Sequence, residues 1–144
     1  MDGFLGTTAG FGADLALVLT WIFGAVATVG AINAHRRRIS GHCPLMAVGA
    51  FLNWLPVLIV MIPTWLEVAG SGAALPTENV NLASLGHGIL GAVTQILMTY
   101  TVTRMYWFED LPPRQPLWLM RVTMAMWVLT LIGGTFVYSL LYVL

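Results

Sequence analysis

The chain alternates between four long apolar segments and short polar joints. The apolar segments cover residues 13–34, 44–66, 80–106 and 117–143. Each reaches or exceeds the roughly 20 apolar residues that a helix needs to cross the hydrocarbon core of a bilayer. Nearly every charged residue lies in or beside a joint between segments. The pattern therefore predicts four transmembrane helices that form a single membrane domain over residues 1–144.

Composition supports a membrane protein and argues against most soluble functions. Hydrophobic residues make up 58% of the chain and charged residues only 8%, whereas soluble domains carry about 25% charged residues. The formal net charge is zero, which gives no reason to expect a nucleic-acid partner. The sequence holds no phosphate loop, zinc-protease motif or plausible Ser-His-Asp set. We therefore do not expect an enzyme.

The distribution of arginine predicts the orientation of the helices. The first and third joints hold all six arginines, whereas the N-terminus and the second joint hold only acids. Because cytoplasmic loops are enriched in Lys and Arg, we expect the first and third joints in the cytoplasm. The predicted fold is an all-α, antiparallel four-transmembrane-helix bundle with both termini outside. Its expected location is the bacterial inner (cytoplasmic) membrane.

Two amide side chains, Asn53 and Gln95, lie about midway along the second and third segments. Neighbouring antiparallel helices would bring them to a similar depth. One interpretation is an interhelical hydrogen bond, which contributes about 0.6 kcal/mol in membranes. The other is a polar spot that binds a quinone or another substrate, since polar groups at membrane depth are often functional.

His87 lies in a glycine-rich stretch that also contains Gly86, Gly88 and Gly91. Glycines beside a histidine leave room for a flat ligand, so His87 is a candidate axial ligand of haem. The same glycines are equally suited to close helix packing. Both interpretations stay open at this point.

A second candidate site begins the second segment, where the sequence reads His42-Cys43-Pro44-Leu45-Met46. His42, Cys43 and Met46 are soft donors of the kind that suits copper(I). Ordinary interfacial and packing roles explain the same residues without a metal. At 1.5 Å rise per residue, we expect His42 and His87 to lie roughly 20 Å or more apart. They are therefore not expected to ligate one haem iron together.

Prolines, tryptophans and small residues indicate how the helices pack. We expect Pro56 to kink the second segment and Pro63 to end it, because proline lacks a backbone donor.

Trp54 and Trp127 fall near segment centres and are either packing residues or walls of a cofactor pocket. The small residues of the first segment, such as Gly24, predict close helix approach within the bundle, or else a dimer face.

Several motifs carry a resemblance to a known family. They are GFLGT at Gly3–Thr7, the arginine-rich turn followed by His42 and Met46, FLNWLPVLIVMIP around Asn53, HGILG at His87–Gly91, LWLMRVTMAMW in the fourth segment, and the terminal Gly133, Gly134, Tyr138 and Tyr142. Over nearly its whole length the chain resembles the YozB-like family of small four-helix bacterial membrane proteins of unknown function. That family includes the cytochrome c oxidase maturation factor CtaM.

The family that the chain resembles carries histidines at the positions of His42 and His87. At the position of Gln95 its members carry Glu. Further histidines that some members carry are absent here, at Ile62–Trp65 and Gln115–Leu117. The resemblance also implies a role in assembly of a haem-copper terminal oxidase or in insertion of its haem or copper.

Two other functions fit the sequence. One is a resident accessory subunit of a multi-subunit membrane electron-transfer complex, in contact with haem or quinone. The other is a haem- or quinone-binding protein that acts alone, which requires histidines paired at one depth. In every case the expected partners are the lipid bilayer and other integral membrane subunits.

Overall fold

A computed structural model describes the backbone of residues 3–70, 78–107 and 117–143, and the side chains of residues 3–66, 82–105 and 118–143. The structure is all-helical beyond a short N-terminal segment, residues 3–10. It contains four helices, each long and apolar enough to cross a membrane. The predicted fold class is confirmed at this level. The expected second and third loops, with Glu67, Glu78, Glu109, Asp110 and Arg114, lie outside the described side chains.

The helix bounds are close to those expected from the apolar pattern. Helix α1 spans Phe11–His35, α3 spans Glu78–Trp107 and α4 spans Leu117–Tyr142. Helix α2 is a composite that begins at Ile39 and ends at Gly70. Its parts are Ile39–Leu52, Trp54–Pro56, a π-helical turn at Val57–Met61, and Ile62–Gly70.

Pro56 and Pro63 of α2 act differently from one another. The α-helical pattern is interrupted at Asn53, three residues before Pro56, and the expected kink at Pro56 stays a prediction. The expectation that Pro63 ends the helix is wrong, because the helix continues to Gly70. The Ile62 N–H bonds to the carbonyl of Val57, five residues earlier. This widened turn leaves room for the ring of Pro63, which would clash with a carbonyl in a regular α-helix.

The helices pack as two close pairs, α1 with α2 and α3 with α4. We call these the first pair and the second pair. Contacts between the pairs run from α2 to α3 and from α1 to α4, and they are less extensive. Four polar contacts between described side chains, set out below, connect the two pairs.

Small residues allow the close approach of helices within the bundle. A Cβ on Gly24 would come within 2.6 Å of a Leu131 methyl, and one on Gly49 would come within 3.1 Å of the Trp127 ring. Ala27 is completely buried. These small residues of α1 and α2 therefore serve packing within the chain.

A compact apolar core lies between the two pairs. It consists of Phe23, Ala27, Ala50, Met98, Val102 and Trp127. Trp127 is only 3% exposed, so it packs in this core. Most large apolar side chains of the four helices face outward instead, for example Ile59 at 70% and Trp118 at 60% exposure. A surface of this kind is stable only against lipid or other apolar helices.

Gly49 provides a test of the core. We expect Gly49→Leu to destabilise the protein by about 1–3 kcal/mol, because the added side chain meets Trp127 in a filled core. The neighbouring Val48 is 43% exposed, and Val48→Leu should change stability by less than about 0.5 kcal/mol. Thermal unfolding in detergent measures both variants. Equal stability of the two variants would contradict the described packing of α2 against α4.

Candidate functional site

Asn53 and Gln95 lie in contact at the interruption of α2. The Asn53 side-chain nitrogen donates to Gln95 Oε1 at 2.9 Å, and Gln95 Nε2 donates to the carbonyl of Ala50 at 2.8 Å. Asn53 and Gln95 are 6% and 4% exposed. Gln95 thus donates a hydrogen bond to a backbone carbonyl just before the break in α2. No water is available at this depth to do so instead.

The polar atoms of this amide pair mostly hydrogen-bond to each other and to the backbone. Only one of its polar side-chain atoms, Asn53 Oδ1, is buried without a hydrogen-bond partner. At the same level the Trp54 indole donates to Thr99 Oγ1 at 3.0 Å. The arrangement matches an interhelical hydrogen bond that stabilises the break in α2, and it leaves a single acceptor free for any ligand.

His87 lies against the glycines of α4. A Cβ on Gly134 would come within 3.0 Å of the imidazole Cε1, and one on Gly133 within 3.5 Å of Nδ1. Of the two glycines next to His87, Gly88 is used in packing, since Trp65 lies over it, whereas Gly86 faces open space. The imidazole Nδ1 is buried and has no hydrogen-bond partner. The glycine-rich stretch therefore accommodates side chains of this protein, and one nitrogen of His87 is left without a partner.

His42 lies in the first turn of α2, at the opposite end of the helices. Its Nδ1 lies 2.9 Å from the carbonyl oxygen of Gly30 in α1. A carbonyl can only accept, so Nδ1 carries the proton and a neutral ring has a lone pair on Nε2. Met46 packs against the same Gly30, and Cys43 is a half-buried free thiol. Metal-binding histidines are commonly held by such a backbone carbonyl.

The candidate ligands do not assemble into one metal centre within the part of the chain that is described. No group of three or more His, Cys, Asp or Glu side chains there could hold a metal ion. The level of Asn53 and Gln95 separates His42 from His87. At 1.5 Å rise per residue this gives roughly 28 Å along the helices. The two histidines therefore cannot bind a single haem iron between them.

The most elaborate polar cluster in the described structure surrounds Asp14. Asp14 is completely buried in the first turn of α1. Its Oδ2 accepts the Leu5 N–H at 2.8 Å, and its Oδ1 accepts the Tyr138 hydroxyl from α4. Tyr138 uses its only proton there, so the Thr7 hydroxyl donates to the Tyr138 oxygen at 2.6 Å. We call Leu5, Thr7, Asp14 and Tyr138 the Asp14 cluster.

The N-terminal segment is folded over the Asp14 cluster. The Gly3 N–H donates to the Ala9 carbonyl at 2.8 Å, and a Cβ on Gly3 would lie only 2.6 Å from that same oxygen. Thr8 donates through its backbone and its side chain to the carbonyl of Tyr142. A shallow open depression of about 530 Å³ adjoins these residues. The motif GFLGT is thus a structural element that covers the start of α1 and the end of α4.

The Asp14 cluster was not predicted from the sequence, in which GFLGT stood out only as a motif of the family resemblance. The available signal was an acid at the start of an apolar segment, directly after a glycine-containing motif. Tyr138 could not be identified as the partner, because it lies 124 residues away and tyrosine near a helix end is also typical of the membrane interface.

Four hydrogen bonds between described side chains link the first pair to the second pair. They join Asp14 to Tyr138, Trp21 to Thr135, Asn53 to Gln95 and Trp54 to Thr99. We call this set the polar seam. A hydrogen bond in an apolar environment has little competition from water, so each of these bonds orients one pair of helices relative to the other.

Comparison with known proteins gives no further assignment: no protein-family model, curated protein or solved structure matches the chain.

Replacement of Tyr138 tests the Asp14 cluster. We expect Tyr138→Phe to destabilise the protein by about 1–3 kcal/mol, because a buried carboxylate oxygen loses its donor. Tyr142→Phe is the matched control. Its phenol makes no hydrogen bond with described residues, so we expect a change within about 0.5 kcal/mol. Thermal unfolding measures stability, and hydrogen exchange at Leu5 reports whether the N-terminal segment is released. Similar results for both tyrosines would refute the assigned role of Tyr138.

A double-mutant cycle tests the amide pair. We expect Asn53→Leu and Gln95→Leu to be coupled by about 0.6 kcal/mol, and by no more than about 1.7 kcal/mol. Gln95→Leu alone should cost more than Asn53→Leu, because the carbonyl of Ala50 also loses its donor. Unfolding free energies of the wild type, the single variants and the double variant give the coupling. Strictly additive effects would exclude a hydrogen bond between the two side chains.

Proposed function

We propose that this chain is a non-enzymatic integral membrane protein of respiratory electron transfer. Its proposed role is assembly of a haem-copper terminal oxidase through lateral contact with oxidase helices. The observation that carries this proposal is the division between the interior and the surface of the bundle. Most buried polar side chains of the described helices are paired inside the bundle, as in the polar seam, whereas the large outward side chains are apolar. The surface available to partners is therefore the lateral one.

The resemblance in the sequence supplies the identity of the proposed partner. The motif GFLGT, which contributes to that resemblance, closes the Asp14 cluster at one end of the bundle. The second such element, the arginine-rich turn followed by His42, lies at the other end. Both elements lie where a lateral partner could contact them at the membrane surface.

We also propose an antiparallel bundle in the bacterial inner membrane, with both termini outside. The order of contacts supports this topology, since Gly30 of α1 meets Met46 of α2 whereas Gly12 meets Val60. On α3 and α4, His87 meets Gly134 and Gly91 meets Thr130. In both cases residue numbers fall along one helix as they rise along the other. The arginines of the first and third joints assign the cytoplasmic side.

The described residues assemble neither a haem site with both His42 and His87 nor a site of three His, Cys, Asp or Glu ligands. His42 and His87 lie too far apart for one haem, and no three metal-binding side chains of the types His, Cys, Asp or Glu converge in the described structure. His42 remains a candidate contact for a cofactor that passes to the oxidase, since its Nε2 makes no hydrogen bond with described residues.

A resident accessory subunit would use the same lateral surface, so stoichiometry must separate the two functions. The test is mild affinity purification from native membranes with quantitative mass spectrometry. An assembly factor is expected at a low ratio, together with oxidase subunits that lack cofactor. A fixed ratio near one to one with mature subunits would instead identify a resident subunit. Recovery without any respiratory subunit would overturn both functions.

His42 is tested in the same membranes. We expect His42→Asn to lower oxidase activity while the variant accumulates normally, because Asn can keep a hydrogen bond to Gly30 but removes the Nε2 lone pair. His35→Asn is the matched control, since His35 is exposed at the same end of the bundle. Oxidase activity per unit of this protein is the measurement. Equal activity of wild type and His42→Asn would remove His42 from the candidate site. In the same way, equal activity of wild type and His87→Ala would remove His87.

A further inference from the structure

The turn between α1 and α2 has a backbone geometry that normally contains glycine. The Arg37 N–H donates to the carbonyl of Ala34 at 3.0 Å, and the Arg38 N–H donates to that of Asn33 at 2.8 Å. Together these two bonds form a Schellman motif, which ends a helix with one residue in the left-handed conformation. Arg37 occupies that position, with φ at 58°.

An arginine in this position is unfavourable for the backbone. A left-handed conformation costs an L-residue with a side chain roughly 1–2 kcal/mol relative to glycine, and glycine is the usual residue at this point of the motif. Strain that persists at one position suggests that the side chain there has a use. The guanidinium of Arg37 is therefore the feature to explain.

The arginines of this turn are exposed and are not used within the described structure. Arg36, Arg37 and Arg38 are all exposed, and their side chains make no hydrogen bond or ion pair with described residues. The only carboxylate among the described side chains, Asp14, lies at the far end of α1. Three guanidinium groups that have no partner among the described residues are thus held together on a tight turn at the end of two membrane helices.

This location and chemistry select a ligand class. The turn lies directly at the end of apolar spans, where phospholipid headgroups are found, and the adjoining Ile39 is 57% exposed. Guanidinium groups bind phosphate oxygens in a bidentate manner that ammonium groups cannot match, and all six cations of this chain are arginine. Clustered basic residues beside a membrane helix attract anionic lipid headgroups.

We propose that the turn Arg36–Arg38 is a binding site for the headgroup of an anionic phospholipid, with Arg37 as its central contact. The site does not depend on the proposed role in oxidase assembly. It rests on the turn geometry and on three guanidinium groups that have no partner among the described residues.

Arg37→Gly provides a sharp test, because it removes the guanidinium and relieves the backbone strain together. The probes are phosphatidylglycerol and phosphatidylcholine with identical acyl chains, mixed into detergent micelles with the purified full chain. Native mass spectrometry counts the bound lipids, and thermal unfolding is measured in parallel. For Arg37→Gly we expect the preference for phosphatidylglycerol to fall about fivefold and the unfolding temperature to stay equal or rise. The triple replacement Arg36→Gln, Arg37→Gly and Arg38→Gln should abolish the preference.

Arg121→Gln is the matched control, since Arg121 is an exposed arginine in the first turns of α4. Its lipid preference should fall clearly less than that of Arg37→Gly, because Arg121 lies outside the turn. A fall as large as that of Arg37→Gly would reveal a general effect of positive charge and overturn the site. Displacement of the lipid by an equal concentration of inorganic phosphate would likewise overturn the assignment to a lipid headgroup.

Two further outcomes would contradict the proposal. A lower unfolding temperature for Arg37→Gly would mean that Arg37 forms a stabilising contact within the protein. Retention of lipid preference in the triple variant, with loss of a copurifying protein, would assign the turn to an acidic protein partner instead.

Discussion

Hydrogen bonding in a region without water is the constraint on which the rest of this structure depends. A buried polar group in the hydrocarbon core must find its partner within the protein. This chain places such groups on different helices, so each can be satisfied only when α1 and α2 meet α3 and α4 in one arrangement. The polar seam therefore orients two helix pairs that apolar packing alone would hold loosely.

The seam also explains features of the chain that are otherwise unrelated. The α-helical pattern of α2 is interrupted at Asn53, and Gln95 of α3 donates to the carbonyl of Ala50 just before the interruption. GFLGT supplies the Leu5 N–H and the Thr7 hydroxyl to the Asp14 cluster. In each case an irregular segment of backbone is tolerated because one of its backbone groups forms a hydrogen bond. The partner is a side chain from the other pair or a buried carboxylate.

The helices could be predicted from sequence because their apolar runs are long and their ends carry charge. The common depth of Asn53 and Gln95 also followed, since helical rise fixes depth once the spans are known. Continuation of α2 past Pro63 could not be predicted, because it depends on the π-helical turn at Val57–Met61. The contact of His87 with Gly133 and Gly134 depends on helix rotation, which a nearly uniform apolar pattern does not fix.

The same reasoning limits where function can lie. Most polar side chains inside the bundle already have partners in the structure, so alterations there should act mainly through stability. The apolar exterior has no partner within the described chain, and it is the surface through which an assembly factor or a subunit would bind other helices. The central proposal is that this exterior, and not an internal cofactor site, carries the activity.

Site-specific photo-crosslinking in native membranes tests that proposal most directly. A photoreactive residue would replace one outward side chain on each of three helices, Ile59, Ile96 and Ile132, and the buried Met98 would serve as the inward control. The account predicts an adduct with an oxidase subunit from at least one outward position and none from position 98. Adducts with lipid alone at every outward position, in cells whose oxidase activity requires this protein, would contradict it.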